Sequence, residues 1–259
     1  MITVTKENNM ELMARYPDNY FDIAIVDPPY GILNKTKRGG DYKFNMNEYS
    51  QWDVKPNDEY FNELFRVSKH QIIWGGNYFG QLWKRSEYNK GFIIWDKNQP
   101  EALNNFSMAE MAWSSIDKPS KIFHFSVRKN RNKIHPTQKP VELYEWLLKM
   151  YVKPNDKVLD THLGSGTIVI ACHNAGINLT ACEINETYFN SAVEKIKDSI
   201  SSLRIEVDTE EKITIVLPNK VISENEVIEK KPVKPSQLNI FNERKPSQKL
   251  IKQKVLSTV

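Results

Sequence analysis

Lys157-Val-Leu-Asp-Thr-His-Leu-Gly-Ser-Gly-Thr167 is the stretch whose reading decides the fold. Its first four residues read as a short strand, Gly164 and Gly166 as a tight turn, and residues 168–174 as an apolar helix that Gly176 ends. The next strand, 179–182, runs into Glu183. Upstream, Phe21-Asp-Ile-Ala-Ile-Val-Asp27 carries the continuous apolar run of a strand buried on both faces. Pro28 and Pro29 cannot continue a central strand, so Asp27-Pro-Pro-Tyr30 lies just past its carboxyl end. Residues 71–74, 91–95 and 109–114 read as further strands, and 59–67 and 188–200 as helices. Pro140 reads as the first residue of another helix, and 204–207 with 212–217 as a small hairpin. Strands separated by helices predict an α/β, doubly wound sheet.

The 259 residues, 40% hydrophobic, suffice for one large domain with a substantial core. Two cysteines, Cys172 and Cys182, exclude a disulfide framework and read as packing residues. No His/Cys/carboxylate cluster has metal-ligand spacing, so no metal is expected. No stretch has the apolar length of a membrane span or a secretory leader, and a cytoplasmic protein is expected. The formal charge is +4, but residues 217–259 hold 9 basic and 4 acidic residues, which leaves the remainder near neutrality. The reading is therefore one folded domain over 1–216 followed by a disordered basic tail over 217–259.

The glycine turn is not a phosphate-binding loop, because no lysine follows the second glycine. The third glycine of the dinucleotide fingerprint is also missing, with Val169 in its place. Glu183, 17 residues beyond Gly166, can accept both hydroxyl hydrogens of a ribose. A glycine turn with a ribose carboxylate and no phosphate grip suits S-adenosylmethionine. At Asp27-Pro-Pro-Tyr30 the prolines remove two donors and fix the backbone. The Asp27 carboxylate, the Pro28 carbonyl and the Tyr30 ring remain: two acceptors and a flat surface, as an exocyclic amine on a planar base requires.

Taken together, Asp27-Pro-Pro-Tyr30, His135-Pro-Thr-Gln-Lys-Pro140, Asp160-Thr-His-Leu-Gly-Ser-Gly-Thr167 and Glu183 resemble the amino-DNA methyltransferases. The catalytic motif precedes the cofactor turn, as in the beta class. The resemblance spans roughly residues 2–200 and implies a seven-stranded, Rossmann-like methyltransferase sheet with the Asp27 and Asp160 strands adjacent. It implies that Asp27, Pro28, Pro29 and Tyr30 hold a target base rotated out of the duplex. It also implies that Asp160, His162, Gly164, Ser165, Gly166, Thr167 and Glu183 bind the cofactor beside Asp27. Thr137 and Lys139 are expected at its carboxylate end. His162 stands where the family usually has Phe, and an imidazole titrating near neutrality predicts pH-dependent cofactor affinity.

The implied reaction is methyl transfer to adenine N6 in double-stranded DNA, Asp rather than Ser before Pro-Pro favouring adenine. Cytosine N4, an RNA or protein amide, and a non-catalytic DNA-binding relative are the alternatives. Lys35, Lys37 and Arg38 in the loop after Tyr30, and Arg128, Lys129, Arg131 and Lys133 beyond it, are the expected phosphate contacts. Residues 115–134 occupy the place of a short target-recognition segment, and a homodimer would extend recognition. In the tail, Gln237-Leu-Asn-Ile-Phe241 resembles the peptide that bacterial sliding clamps bind.

Overall fold

The structure, a computed structural model, describes residues 1–32, 53–85, 91–99, 107–126, 134, 135 and 137–200, and the backbone of 204–209 and 212–216. Ten strands form one sheet: β1 (Ile2–Lys6), β2 (Phe21–Val26), β3 (Ser68–Trp74), β4 (Phe92–Asp96), β5 (Ala109–Ser114), β6 (Lys121–His124), β7 (Lys157–Asp160), β8 (Asn178–Glu183), β9 (Arg204–Thr209) and β10 (Lys212–Val216). Their order is β6-β4-β5-β3-β2-β7-β8-β1-β10-β9. The five central strands, β3, β2, β7, β8 and β1, are all parallel. β5 runs antiparallel between β3 and β4, and the β9–β10 hairpin continues the sheet beyond β1.

The expected doubly wound α/β sheet is therefore present, with ten strands in place of seven. The additions are edge strands: β6 beside β4, and the hairpin beside β1. β2 and β7 are direct neighbours, with Ile23 opposite Val158 and Ala24 opposite Leu159.

Helices cover both faces. Period-2 alternation sends Ile23, Ile25, Ile72, Trp74 and Val158 to one face, under α4 (Val141–Tyr151), α5 (Thr167–Ala175) and α6 (Glu186–Ser199). Ala24, Val26, Ile73 and Leu159 face the other side, under α1 (Asn9–Ala14), α2 (Asp58–Val67) and α3 (Gly80–Lys84). Burial on both faces explains the unbroken apolar run of β2.

Local chemistry sets the helix starts that frame the carboxyl edge of the sheet. Asn8, Asn57 and Asn185 cap α1, α2 and α6, each side-chain oxygen accepting a backbone N–H of the first turn. Pro140 is the cap of α4 rather than its first residue, since its ψ of 150° is extended. Gly166, at φ +69°, enters α5, and a Cβ there would lie 2.9 Å from Ile196 and 3.2 Å from Ala192. The glycine thus lets the turn sit directly on α6. Gly176 closes α5 at φ +67°, as its position in the sequence predicts.

Candidate active site

Asp27, Asp160 and Glu183 sit at or just past the carboxyl ends of β2, β7 and β8, three neighbouring parallel strands. The edge of the sheet therefore collects acids from distant parts of the chain, as open α/β sheets do at ligand sites.

A cavity of about 380 Å³ opens beside this edge, within the usual range for small-molecule sites. Its walls include Pro29, Thr161, His162 and Glu183, together with Asn8, Asn9, Val54, Tyr60 and Ile184. Glu183 is held in place by two backbone donors: Gly164 N–H reaches Oε2 at 2.9 Å and Asn185 N–H reaches Oε1 at 2.9 Å. Each carboxylate oxygen keeps a lone pair for a hydroxyl donor. Burial raises the Glu183 pKa above the ordinary carboxylate value, and the backbone donors partly offset this. Val54 and Ile184 are about two-thirds exposed, so the cavity has apolar flanks as well as an acid.

His162 is a corner of the cavity. Its Nε2 faces Asn9 Nδ2 at 3.2 Å, and its Nδ1 faces the Thr161 hydroxyl at 2.9 Å. Its ring meets Tyr60 edge-on at 5.3 Å. Burial lowers its pKa to about 3, so the imidazole is neutral at physiological pH. This corrects the expectation that His162 titrates near neutrality: the ring is enclosed and no acid faces it to stabilise a charge. The group that titrates there is Asp160. Burial pushes its carboxyl up to about 7; the His162 N–H at 3.0 Å opposes the shift, and the nearby charges of Asp27 and Glu183 add to it.

Around Asp27 lies a second assembly. Tyr30 donates its hydroxyl to Asp27 Oδ1 at 2.5 Å, and Lys139 Nζ bonds Asp27 Oδ2. The Lys139 ammonium is buried, lies 5.1 Å over the Trp74 ring and pairs with Glu110 Oε2 at 3.1 Å. Glu110 in turn holds Lys97 at 2.7 Å. Burial raises the Asp27 pKa, Lys139 opposes that shift, and Glu110 adds to it. Burial also works against the Glu110 anion, but Lys139 and Lys97 hold its pKa down at about 2. The Tyr30 ring stacks on Tyr78 with centroids 5.0 Å apart and packs against Gly75, whose φ of +69° no larger residue adopts readily.

The structure thus brings Asp27, Pro28, Pro29 and Tyr30 to the same edge as Thr161, His162 and Glu183. Lys139 points elsewhere than its motif suggests, toward Asp27 and Glu110. Thr137 pairs its hydroxyl with His135 Nδ1 at 3.1 Å. Ser165 and Thr167 are buried in the turn. Lys195 on α6 has a buried ammonium without a hydrogen-bond partner among the described residues, and burial lowers its pKa to about 8. The expected phosphate contacts Lys35, Lys37, Arg38, Arg128, Lys129, Arg131 and Lys133, and the Gln237–Phe241 peptide, lie outside the described residues. Sequence reasoning missed Lys97, Glu110, Asn9 and Tyr60; each joins the site only through folding, and none carries a local motif.

Solved structures share this fold. The M1.HpyAVI–SAM complex aligns over 75% of this chain and 100% of its own, at 22% identity and a TM-score of 0.52. The cytosine-N4-specific PvuII DNA methyltransferase aligns over 76% and 90%, at 14% identity and a TM-score of 0.53. What these neighbours share with the chain is the doubly wound α/β fold. The N6/N4 DNA methylase family matches residues 74–194. The type II methyltransferase M.HpaI of Haemophilus parainfluenzae is 27% identical over 232 residues, covering 73% of this chain and 72% of its own. The family match and the curated relatives together support an S-adenosylmethionine-dependent DNA methyltransferase of the N6/N4 family.

The residues present fit that cofactor. Glu183 offers both oxygens to ribose hydroxyls, and Val54 and Ile184 would flank a planar base. Among the described residues no helix is long and apolar enough to cross a membrane.

Proposed function

We propose that this methyltransferase acts on the N6 amine of adenine in double-stranded DNA, with the target base rotated out of the helix into the space before Asp27. The observation that carries the reading is the Asp27 carboxylate, fixed at both oxygens by Tyr30 and Lys139 and set one strand away from the Thr161–His162 wall of the cofactor pocket.

An aromatic amine is a poor nucleophile because its lone pair is delocalised into the ring. The Asp27 carboxylate and the Pro28 carbonyl accept the two amine hydrogens and draw the nitrogen toward tetrahedral geometry. S-adenosylmethionine supplies an activated methyl group on a good leaving group. The protein's contribution is alignment and exclusion of water. Tyr30 gives the base a stacking surface and is itself stacked on Tyr78. Asp27 takes the amine proton at a carboxylate oxygen after transfer; burial makes it more basic than a surface aspartate.

Aspartate before the Pro-Pro pair supports adenine over cytosine, as the resemblance to the family implies, although the two amines present similar geometry. The phosphate contacts proposed at Lys35–Arg38 and Arg128–Lys133 flank this edge in sequence. The tail peptide Gln237–Phe241 is proposed as a clamp ligand, tested by pull-down of a sliding clamp with and without it. Base-resolved product analysis decides the main reading. Unmethylated genomic DNA incubated with protein and labelled cofactor is expected to yield N6-methyladenine; N4-methylcytosine as the product overturns the adenine reading. Asp27→Ala is expected to abolish transfer and keep cofactor affinity.

A further inference from the structure

Lys139, Glu110 and Lys97 form a row of alternating charge that begins at Asp27. Lys139 enters from just before α4, Glu110 from β5 and Lys97 from just past β4. Strand pairing builds the far half: Trp95 is the β-register partner of Glu110, and Lys97 N–H donates to Met108 O at 2.9 Å. Trp74, at the end of β3, lies under the Lys139 ammonium at 5.1 Å. The row holds two anions and two cations and is neutral overall.

Neutrality matters because the Lys139 side chain is only 1% exposed. A buried ammonium is stable only when paired, and a buried pair is useful only when its geometry is fixed. With Asp27 alone as partner, Lys139 would sit wholly on the carboxylate that must accept the base amine. Glu110 shares the ammonium at 3.1 Å, and Lys97 balances the negative charge that Glu110 adds. Lys97, bonded to the other Glu110 oxygen at 2.7 Å, keeps Glu110 from drawing Lys139 off Asp27.

We propose that Glu110 and Lys97 are positioning residues for methyl transfer, which act through Lys139 to hold the Asp27 carboxylate as an oriented anion facing the base. The proposal rests on the reading of Asp27 as the amine acceptor. The charged and titratable groups around Asp27 are Tyr30 and Lys139 in contact, Glu110 beyond Lys139, Tyr144 on α4 and Asp160 on β7. Removing the Glu110 charge lowers Asp27 basicity, because Glu110 is one of the groups that raise it. Removing the Lys97 charge leaves the row net negative and raises it. A purely structural role gives no reason for opposite signs.

The test is the single-turnover rate of labelled methyl transfer to unmethylated genomic DNA from pH 5 to 9, for the wild type, Glu110→Gln, Lys97→Met and the double variant. Both single variants are expected to transfer about tenfold more slowly. The acid limb should move about one unit down in Glu110→Gln and about one unit up in Lys97→Met, and return toward wild type in the double variant. Cofactor affinity by calorimetry should stay within twofold of wild type. If Glu110→Gln does not fold, Lys97→Met alone decides, with Lys97→Arg expected to restore the limb. Limbs that stay put, or move in the same direction, overturn the proposal. Asp27→Asn in the same assay separates the two readings: wild-type turnover there overturns the role of Asp27 itself, whereas an inactive Asp27→Asn with unmoved limbs overturns only the role of Glu110 and Lys97.

Discussion

Replacing Gly75 by alanine should disable Tyr30 without touching the cofactor pocket. Gly75 has φ +69°, a left-handed conformation that costs an alanine roughly 1 kcal/mol. The added Cβ would lie 2.2, 2.5 and 2.6 Å from Cε1, Cδ1 and Cζ of Tyr30, so the ring has to withdraw to an ordinary contact distance. That movement breaks the hydroxyl bond to Asp27 Oδ1, a bond to a charged group worth about 1.5–3 kcal/mol. The sum is a destabilisation of about 2.5–4 kcal/mol. Losing the bond that fixes Asp27 should slow transfer about tenfold or more, since each 1.4 kcal/mol is about a factor of ten. Urea denaturation reads the first number, single-turnover methyl transfer the second, and calorimetric titration of S-adenosylmethionine serves as the control, expected unchanged. Gly80→Ala is the matched comparison: its Cβ meets nothing within 4 Å, and stability should stay level or rise by about 0.4–1 kcal/mol. Wild-type turnover by Gly75→Ala would refute the reasoning, as would an equal loss of cofactor affinity.

Two further outcomes follow from the pocket. Cofactor affinity should rise with pH through the Asp160 value of about 7, because a ligand with net positive charge prefers the anionic carboxylate. Binding should be roughly tenfold weaker at pH 6 than at pH 8 if only the ionised form binds. Asp160→Asn should flatten the curve, whereas His162→Phe should leave it in place, since His162 stays neutral over that range; a curve flattened by His162→Phe alone refutes this assignment. Glu183→Ala should lower cofactor affinity at least tenfold, since it removes the hydroxyl acceptor and leaves the Gly164 and Asn185 N–H groups without their carboxylate; a Kd within twofold of wild type by calorimetry would exclude Glu183 from the site.

The central strands and their acids were legible because they carry local signals: the apolar run of β2, the Pro-Pro stop after Asp27, and the glycines that bracket α5. β1 was not. Ile2-Thr-Val-Thr-Lys6 is short, and its partners, β8 and β10, come from the far end of the described chain, so only tertiary pairing makes it a strand. Glu110 reads as an ordinary polar residue near the start of a strand; its burial depends on Lys139, which arrives from a separate motif. Lys139 was legible as a site residue but not in its direction, because a motif gives proximity and not the side chain's partner. His162 shows the same limit in electrostatics: the sequence supplies an imidazole with its ordinary pKa, and only the enclosing walls of Thr161, Tyr60 and Asn9 keep it neutral.

Trp74 has an optical consequence. Its indole N–H is buried with no hydrogen-bond acceptor among the described residues, and an ammonium lies over its ring. Emission from such an indole lies toward the blue and responds to the cation's position, so Lys139 leaving or tightening on Asp27 should register as a change in intrinsic fluorescence. Five other tryptophans contribute background, and a Trp74→Phe difference spectrum isolates the signal. The protein thus carries a native reporter of the charge state beneath its own acceptor.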